Sequence, residues 1–198
     1  MDTETVARFL ALLAAVAQLA TLTALVLAVG ARFSTGLANL RDRAVAAVAP
    51  SALTLAFLVA AVCMGGSLYF SEVADFPPCK LCWYQRYAMY PLVPILGVAA
   101  WRNITKLRLF AMVLAAVGPL ISTYHILVER GIVKESGSCD PTNPCSLNWV
   151  PYNGYLTIPT MALSGFLLIL TLLAVSRAGD RLDDDLSDLA ERELHGHR

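Results

Sequence analysis

The chain has 198 residues, 57% of them hydrophobic and only 15% charged, whereas a soluble domain of this size carries about 25% charged residues. Its 15 Lys and Arg balance 15 Asp and Glu, and no basic run exists to neutralise phosphates, so there is no case for a nucleic-acid partner. The shortage of charge points to lipid as the solvent, and an all-α integral membrane protein is the fold class expected.

Taken in chain order, five stretches lack Asp, Glu, Lys and Arg. Residues 9–31 form the first, between Arg8 and Arg32. The start, Met1-Asp2-Thr3-Glu4, lacks the basic region of a cleaved signal peptide, and the apolar run is too long for one, so a retained helix is expected. Residues 44–71 form the second stretch and residues 87–101 the third. The third becomes long enough to span if Leu81–Arg86 join the same helix, since a crossing needs roughly 20 residues. Residues 109–128 form the fourth, and the fifth starts near Ile158 and ends at Arg177. The chain divides into an extra span and cytoplasmic loop (1–44), a membrane domain (45–178) and a charged tail (179–198). In that tail Leu182, Leu186 and Leu189 have helical spacing among Asp183–Asp185 and Asp188, which suits a short amphipathic helix.

Lys and Arg in short loops mark the cytoplasmic side. Arg32, Arg41 and Arg43 follow span one; Arg102, Lys106 and Arg108 follow span three; Arg177 and Arg181 follow span five. The expected topology has the N-terminus outside and the C-terminus in the cytoplasm. Segments 72–82 and 129–157 then share the extracytoplasmic face, and they contain four of the five cysteines: Cys79, Cys82, Cys139 and Cys145.

Thiols facing an oxidising compartment pair as disulfides. Cys139 and Cys145 could be a structural staple or a redox pair. Cys79 and Cys82, three residues apart, close too small a loop to staple anything. Pro77 and Pro78 place a helix start at about Cys79, where unpaired N–H groups and the positive dipole end favour a thiolate. Arg86 lies four residues beyond Cys82 on the same helix face. Counting from Arg102, it stands about 24 Å above the cytoplasmic end of its span. An ionisable residue there is a functional candidate able to stabilise a thiolate and donate to a quinone carbonyl, the alternative being an anchor that snorkels to the interface. His125 reaches a similar depth and could serve a quinone oxygen or bond a loop.

The run Pro78-Cys79-Lys80-Leu81-Cys82-Trp83-Tyr84-Gln85-Arg86 closely resembles the signature of the DsbB family of disulfide bond formation proteins, in particular its BdbC-type branch. Gly66–Glu72, Met89–Leu92, Tyr124-His125, Pro144-Cys145-Ser146 and Thr157-Ile158-Pro159 fit as well. The resemblance covers roughly residues 60–170. It implies a four-helix transmembrane bundle, here with one extra N-terminal transmembrane helix. It also implies reoxidation of a DsbA-like thioredoxin-fold partner and reduction of a membrane quinone, menaquinone or ubiquinone. By the same resemblance, the partner's thiolate attacks Cys139, Cys145 resolves against Cys79, Cys82 lies beside the quinone, and Arg86 and His125 are cofactor-binding. The first span has no counterpart in the family pattern, and neither has Cys63, which reads as a small buried hydrophobe.

Direction in such a relay depends on the successive reduction potentials. Gly131, Gly137, Pro141 and Pro144 suit an irregular loop able to move between partner and Cys79, with Trp149, Tyr152 and Tyr155 as interfacial anchors. Three rivals stand beside this reading. A vitamin K epoxide reductase-like enzyme would carry its loop pair before the Cys-x-x-Cys, the reverse of the order here. A zinc site of four thiolates suits the Cys-x-x-Cys but not the wider spacing of the second pair or an oxidising face, so no metal is expected. A scaffold with disulfides as staples would leave the register of Arg86 with Cys82 without a purpose.

Overall fold

The structure is a computed structural model and describes residues 3–102, 104–135, 139, 142–148 and 154–196. Within them the chain forms six helices: α1 (Thr3–Gly30), α2 (Thr35–Glu72), α3 (Lys80–Met89), α4 (Leu92–Arg102), α5 (Thr105–Glu129) and α6 (Ile158–Gly196). Lipid offers no hydrogen bonds to a peptide group, so a spanning segment has to satisfy its own backbone, and a helix does so locally. Helices α1, α2, α5 and α6 are each long and apolar enough to cross a bilayer. Helices α3 and α4 together supply a further crossing, about 34 Å long at 1.5 Å per residue, against a core of about 30 Å. The protein is an all-α, multi-pass membrane protein.

Three elements differ from the sequence reading. The third span is interrupted at Tyr90–Pro91, because Pro91 has no N–H to continue the helix; the bonds resume as Val93 N donates to Tyr90 O and Ile95 N to Pro91 O. Residues 35–44, read as loop, are the opening turns of α2, so a boundary at residue 44 cuts a continuous helix. The tail is likewise no separate helix. It extends α6 to Gly196, and Leu186 and Leu189 on it are exposed.

Helices α2, α4, α5 and α6 enclose the main core, where Ala56, Ala60, Ala111 and Ala115 lie fully buried against Leu92, Leu96, Phe166, Ile169 and Leu173. Lipid chains are as apolar as leucine, so association depends on close packing, which small residues allow. Gly118 is the clearest case: a Cβ there would overlap the buried Phe166 ring. The inward stripe of α5 runs Arg108, Ala111, Ala115, Gly118, Ser122, His125, alternating steps of three and four, the repeat of a helix packed along its length.

Helix α1 lies outside this bundle on α2 and α6. It buries Ala7, Ala11, Ala14 and Ala17, and turns Leu12, Leu19, Leu22 and Val26 outward. Exposed leucine and valine along a helix face are what lipid contact requires. Ala11 and Ala14 pack beside Leu156, at the start of α6, so the N-terminal half of α1 shares an end of the bundle with the cysteines. At the opposite end, buried Arg108 pairs with Asp180 at 2.6 Å and donates to Ser176 Oγ at 3.1 Å.

Candidate redox site

The turn after α2 reverses the chain through Asp75, at φ 55°, a left-handed conformation that aspartate tolerates better than most residues. Pro77 and Pro78 then lead to Cys79, which caps α3. Its backbone is extended, and its sulfur accepts the Cys82 N–H at 3.3 Å. The expected helix start is therefore found, with Cys79 itself as the cap. The Cys79 and Cys82 sulfurs stand 2.9 Å apart, both as free thiols.

On the other side, α5 ends in a turn built around Gly131, at φ 68°, with Gly131 N bonded to Val128 O and Ile132 N to Leu127 O. This double closure requires a residue that adopts positive φ cheaply. It directs the following segment back over the cysteine end. Cys139 and Cys145 are joined as a disulfide with Cα atoms 6.0 Å apart. Cys145 is 1% exposed and packs in one cluster with Cys79, Leu81 and Val128, whereas Cys139 is only half-buried. Asn143 Nδ2 donates to Pro77 O at 3.2 Å, and Ser146 N donates to the Glu135 carboxylate. The two pairs, some sixty residues apart in the chain, thus meet at one place. Gly137, Pro141, Trp149 and Tyr152 lie outside the described residues.

His125 joins the pairs. Its Nε2 is 3.1 Å from Cys145 O and 3.7 Å from Cys79 Sγ, while its buried Nδ1 has no partner among the described residues. The carbonyl needs a donor, so a proton on Nε2 fits this setting. Cys79, ahead of the helix, has its pKa lowered to about 4, first by the hydrogen bond from the Cys82 thiol and then by His125, against the opposing effect of burial. Of the two sulfurs, Cys79 is the one whose surroundings favour the thiolate.

Arg86 is buried and does not reach outward. Its Nε donates to Ser67 Oγ at 3.0 Å and its Nη2 to Ser67 O at 2.9 Å. The Trp83 ring centroid lies 5.1 Å from the guanidinium carbon and that of Tyr90 5.8 Å, and Tyr90 also donates to Ser67 Oγ at 3.2 Å. Beside this group opens a cavity of about 360 Å³ between α1, α2, α3 and α6, apolar except near Cys82, Gln85, Arg86 and Ser67. A far smaller pocket of about 20 Å³ adjoins Cys79, His125, Glu129 and Pro144, and Cys82 lines this one as well. Cys82 is thus common to a cleft facing the loop disulfide and an apolar cavity facing Arg86.

The structure brings together Cys79, Cys82, Cys139, Cys145 and His125, and sets Arg86 on the far side of Cys82. His125, read from the sequence as able to serve a quinone oxygen or bond a loop, meets the loop carbonyl of Cys145 and does not line the large cavity. The sequence reading assigned no role to Ser67, which braces Arg86, or to Ser122, whose Oγ accepts from Gln85 Nε2 at 3.1 Å. Nor did it single out Glu129, which accepts from Thr157 Oγ1 at 2.7 Å. Their signal was present: polar side chains in otherwise apolar spans have to find a partner inside the protein.

Cys79, Cys82 and His125 offer three ligand atoms within 4.8 Å of one another. Two thiolates on a tetrahedral zinc stand about 3.8 Å apart, given Zn–S of about 2.3 Å, so the 2.9 Å between these sulfurs fits a redox pair better. With Cys139 and Cys145 joined, a site of four thiolates is not available.

Residues 49–176 match the family model described as disulfide bond formation protein DsbB. The chain is similar to disulfide bond formation protein C of Bacillus subtilis, 42% identical over 125 residues that cover 62% of this chain and 90% of that one. It is 43% identical over 126 residues to a probable disulfide formation protein of Oceanobacillus iheyensis, covering 63% of this chain and 87% of the relative. A probable disulfide formation protein of Deinococcus radiodurans is 40% identical over 134 residues, covering 63% and 88%. No solved structure gives a significant match.

Proposed function

The chain belongs to the DsbB family of disulfide bond formation proteins, membrane oxidoreductases that generate disulfides, and from that premise we propose that it passes electrons from a DsbA-like thioredoxin-fold dithiol to a membrane quinone through two cysteine pairs in a set order. The observation that carries this reading is the double exposure of Cys82, to the Cys79 side and to the apolar cavity walled by Arg86.

The partner's thiolate attacks Cys139 and displaces the Cys145 thiolate. The greater exposure of Cys139 supports this direction, since Cys145 is sealed under the loop. Cys145 then attacks Cys79 of a closed Cys79–Cys82 disulfide, expelling Cys82 as thiolate. The partner's second thiol then attacks the partner's own sulfur in the mixed disulfide, displacing Cys139 as thiolate and releasing the partner oxidised. Return of Cys139 to Cys145 closes the loop pair and leaves Cys79 and Cys82 reduced. A closed loop disulfide beside two free thiols is the state in the structure.

His125 positions Cys145 by holding its carbonyl 3.1 Å away, and its ring contributes to the thiolate character of Cys79. Low thiol pKa makes Cys79 a good leaving group as well, since leaving rate rises as pKa falls. Cys82 faces the cavity, where Arg86 stands ready to donate. The residues fit a quinone: an apolar chamber, one buried cation and a thiol in the same wall. When bound, a quinone supplies the sink for two electrons and two protons as the Cys79–Cys82 disulfide reforms. The cysteine end is assigned to the extracytoplasmic side, with the C-terminus cytoplasmic, on the strength of Arg102, Lys106, Arg108, Arg177 and Arg181 at the opposite end.

The test is quinone-dependent oxidation of a thioredoxin-fold dithiol by the purified chain. Alanine at Cys79, Cys82, Cys139 or Cys145 abolishes turnover, and Cys63→Ala retains it. Full activity of Cys82→Ala would overturn the relay.

A further inference from the structure

The match to the family begins at residue 49, so all of α1 lies outside it. Yet α1 is no peripheral attachment to the site. The cavity that Cys82 and Arg86 open into is bounded on one side by α1, through Leu10, Leu13, Ala14, Val16, Ala17 and Ala20. Most of these fall at the three-and-four spacing of a single helix face. Without α1, the groove between α2 and α6 would face lipid directly.

The seating of α1 is specific. Ala11, Ala14 and Ala17 are nearly or fully buried. Leu10 covers Gly66, where a Cβ would come within 2.9 Å of its Cδ1. A polar lock fixes depth and rotation: Gln18 Nε2 donates to Ser164 Oγ at 2.9 Å, and Ser164 Oγ donates to Thr160 O at 2.8 Å. In a span whose surroundings cannot satisfy an amide, this bond holds one register. The lining residues are not equally enclosed: Leu13 and Val16 remain exposed at the edge of the seam.

The cavity is polar at one end and apolar along its length. Its polar groups gather around Ser67 and Arg86, near the cysteine end. From Ser67 to Leu58 on α2 the lining continues for about 13 Å, at 1.5 Å per residue. From Leu10 to Ala20 on α1 it continues for about 15 Å on the same basis. That is a chamber for a compact polar head attached to a linear hydrocarbon. Moving a prenyl chain from lipid to protein gains little by removing it from water, as the lipid is already apolar. What a preformed chamber offers instead is close packing around the chain.

We infer that α1 is the wall of a prenyl-tail channel, making Leu13 and Ala17 determinants of selectivity for tailed over tail-less quinones. This rests on the quinone-reducing reading above and assigns to the added helix a function in that same site. A tail-less quinone needs only the Cys82 and Arg86 end, whereas a prenylated one also depends on the opposite wall.

The experiment measures KM for a prenylated and a tail-less quinone with the purified full chain in lipid nanodiscs. Ala17→Leu places extra volume in the channel, and Leu13→Ala removes part of its wall without crowding. Each raises the KM for the prenylated quinone relative to the tail-less one by about tenfold, the scale of a packing defect of this size. Val26→Ala, on the exposed face of α1 and away from the cavity, leaves the ratio as it is. If both Leu13→Ala and Ala17→Leu leave the ratio unaltered while the wild type reduces quinone, α1 is only a packing helix and the inference is overturned. The same holds if both KM values rise in step. A wild type that reduces neither quinone overturns the underlying reading, and the inference with it.

Discussion

Replacing Arg86 with glutamine removes a buried cation from the cavity wall and leaves a polar side chain of shorter reach. A guanidinium has five N–H donors. Two are used on Ser67, through Nε at 3.0 Å and Nη2 at 2.9 Å, which leaves three without a partner among the described residues. The rings of Trp83 and Tyr90 flank the group, so a donated bond forms in surroundings poor in water, where it is strengthened. A hydrogen bond to a charged group contributes about 1.5–3 kcal/mol. At 1.4 kcal/mol per decade, its loss raises the quinone KM about 10- to 100-fold. Steady-state oxidation of the dithiol partner at varied quinone reads this directly, and the effect falls on the quinone KM rather than the partner KM. Ser67→Ala removes the bond from Nε and keeps the one from Nη2 to the Ser67 backbone oxygen, so it loosens the guanidinium without removing it and raises the quinone KM less than Arg86→Gln does, by about 2- to 10-fold. An unchanged quinone KM in Arg86→Gln would refute the reasoning and leave Arg86 as a brace between α3 and α2.

Cys79, with its pKa lowered to about 4 in the reduced protein, should carry thiolate ultraviolet absorbance at neutral pH that fades as the pH falls through about 4. Because the folded value is the depressed one, the stability it contributes is present above the unfolded thiol pKa and is lost as pH falls through the folded value. Cys82→Ala should move the midpoint upward more than His125→Asn does, as the Cys82 thiol is the larger cause; a wild-type midpoint near 8.5 would contradict the arrangement. The orientation is open to labelling of single cysteines in intact cells, in a background free of the native ones. A membrane-impermeant maleimide should reach Ser146→Cys, and reach Arg181→Cys only after permeabilisation. The reverse pattern would invert the topology.

The crossings were legible from the sequence because lipid imposes a one-dimensional requirement: a long apolar run, free of charge, with its backbone satisfied internally. Cys79, Cys82 and Arg86 were legible for a related reason. They lie within two helical turns, where spacing alone dictates which side chains share a face. The break at Pro91 was available from the residue type, yet the need for a crossing of sufficient length favoured one unbroken helix.

Other relations depend on how helices rotate and meet, and spacing within a single helix carries no record of that. His125 stands on the inward stripe of α5, and its depth followed from counting residues. Its neighbour did not: the close approach of Gly118 to Phe166 sets α5 against α6, and Ser122 reaches Gln85 on α3. That rotation points His125 at Cys79 and Cys145 instead of at the Arg86 cavity. Likewise Ser67 became a brace, and α1 a wall, only once α2, α3 and α6 were assembled around them. The sequence by itself determined that the chain crosses a membrane, roughly where it crosses, and which cysteines are candidates for the chemistry. Tertiary packing decided the order in which those groups face one another, because contact between helices depends on the matching of whole surfaces.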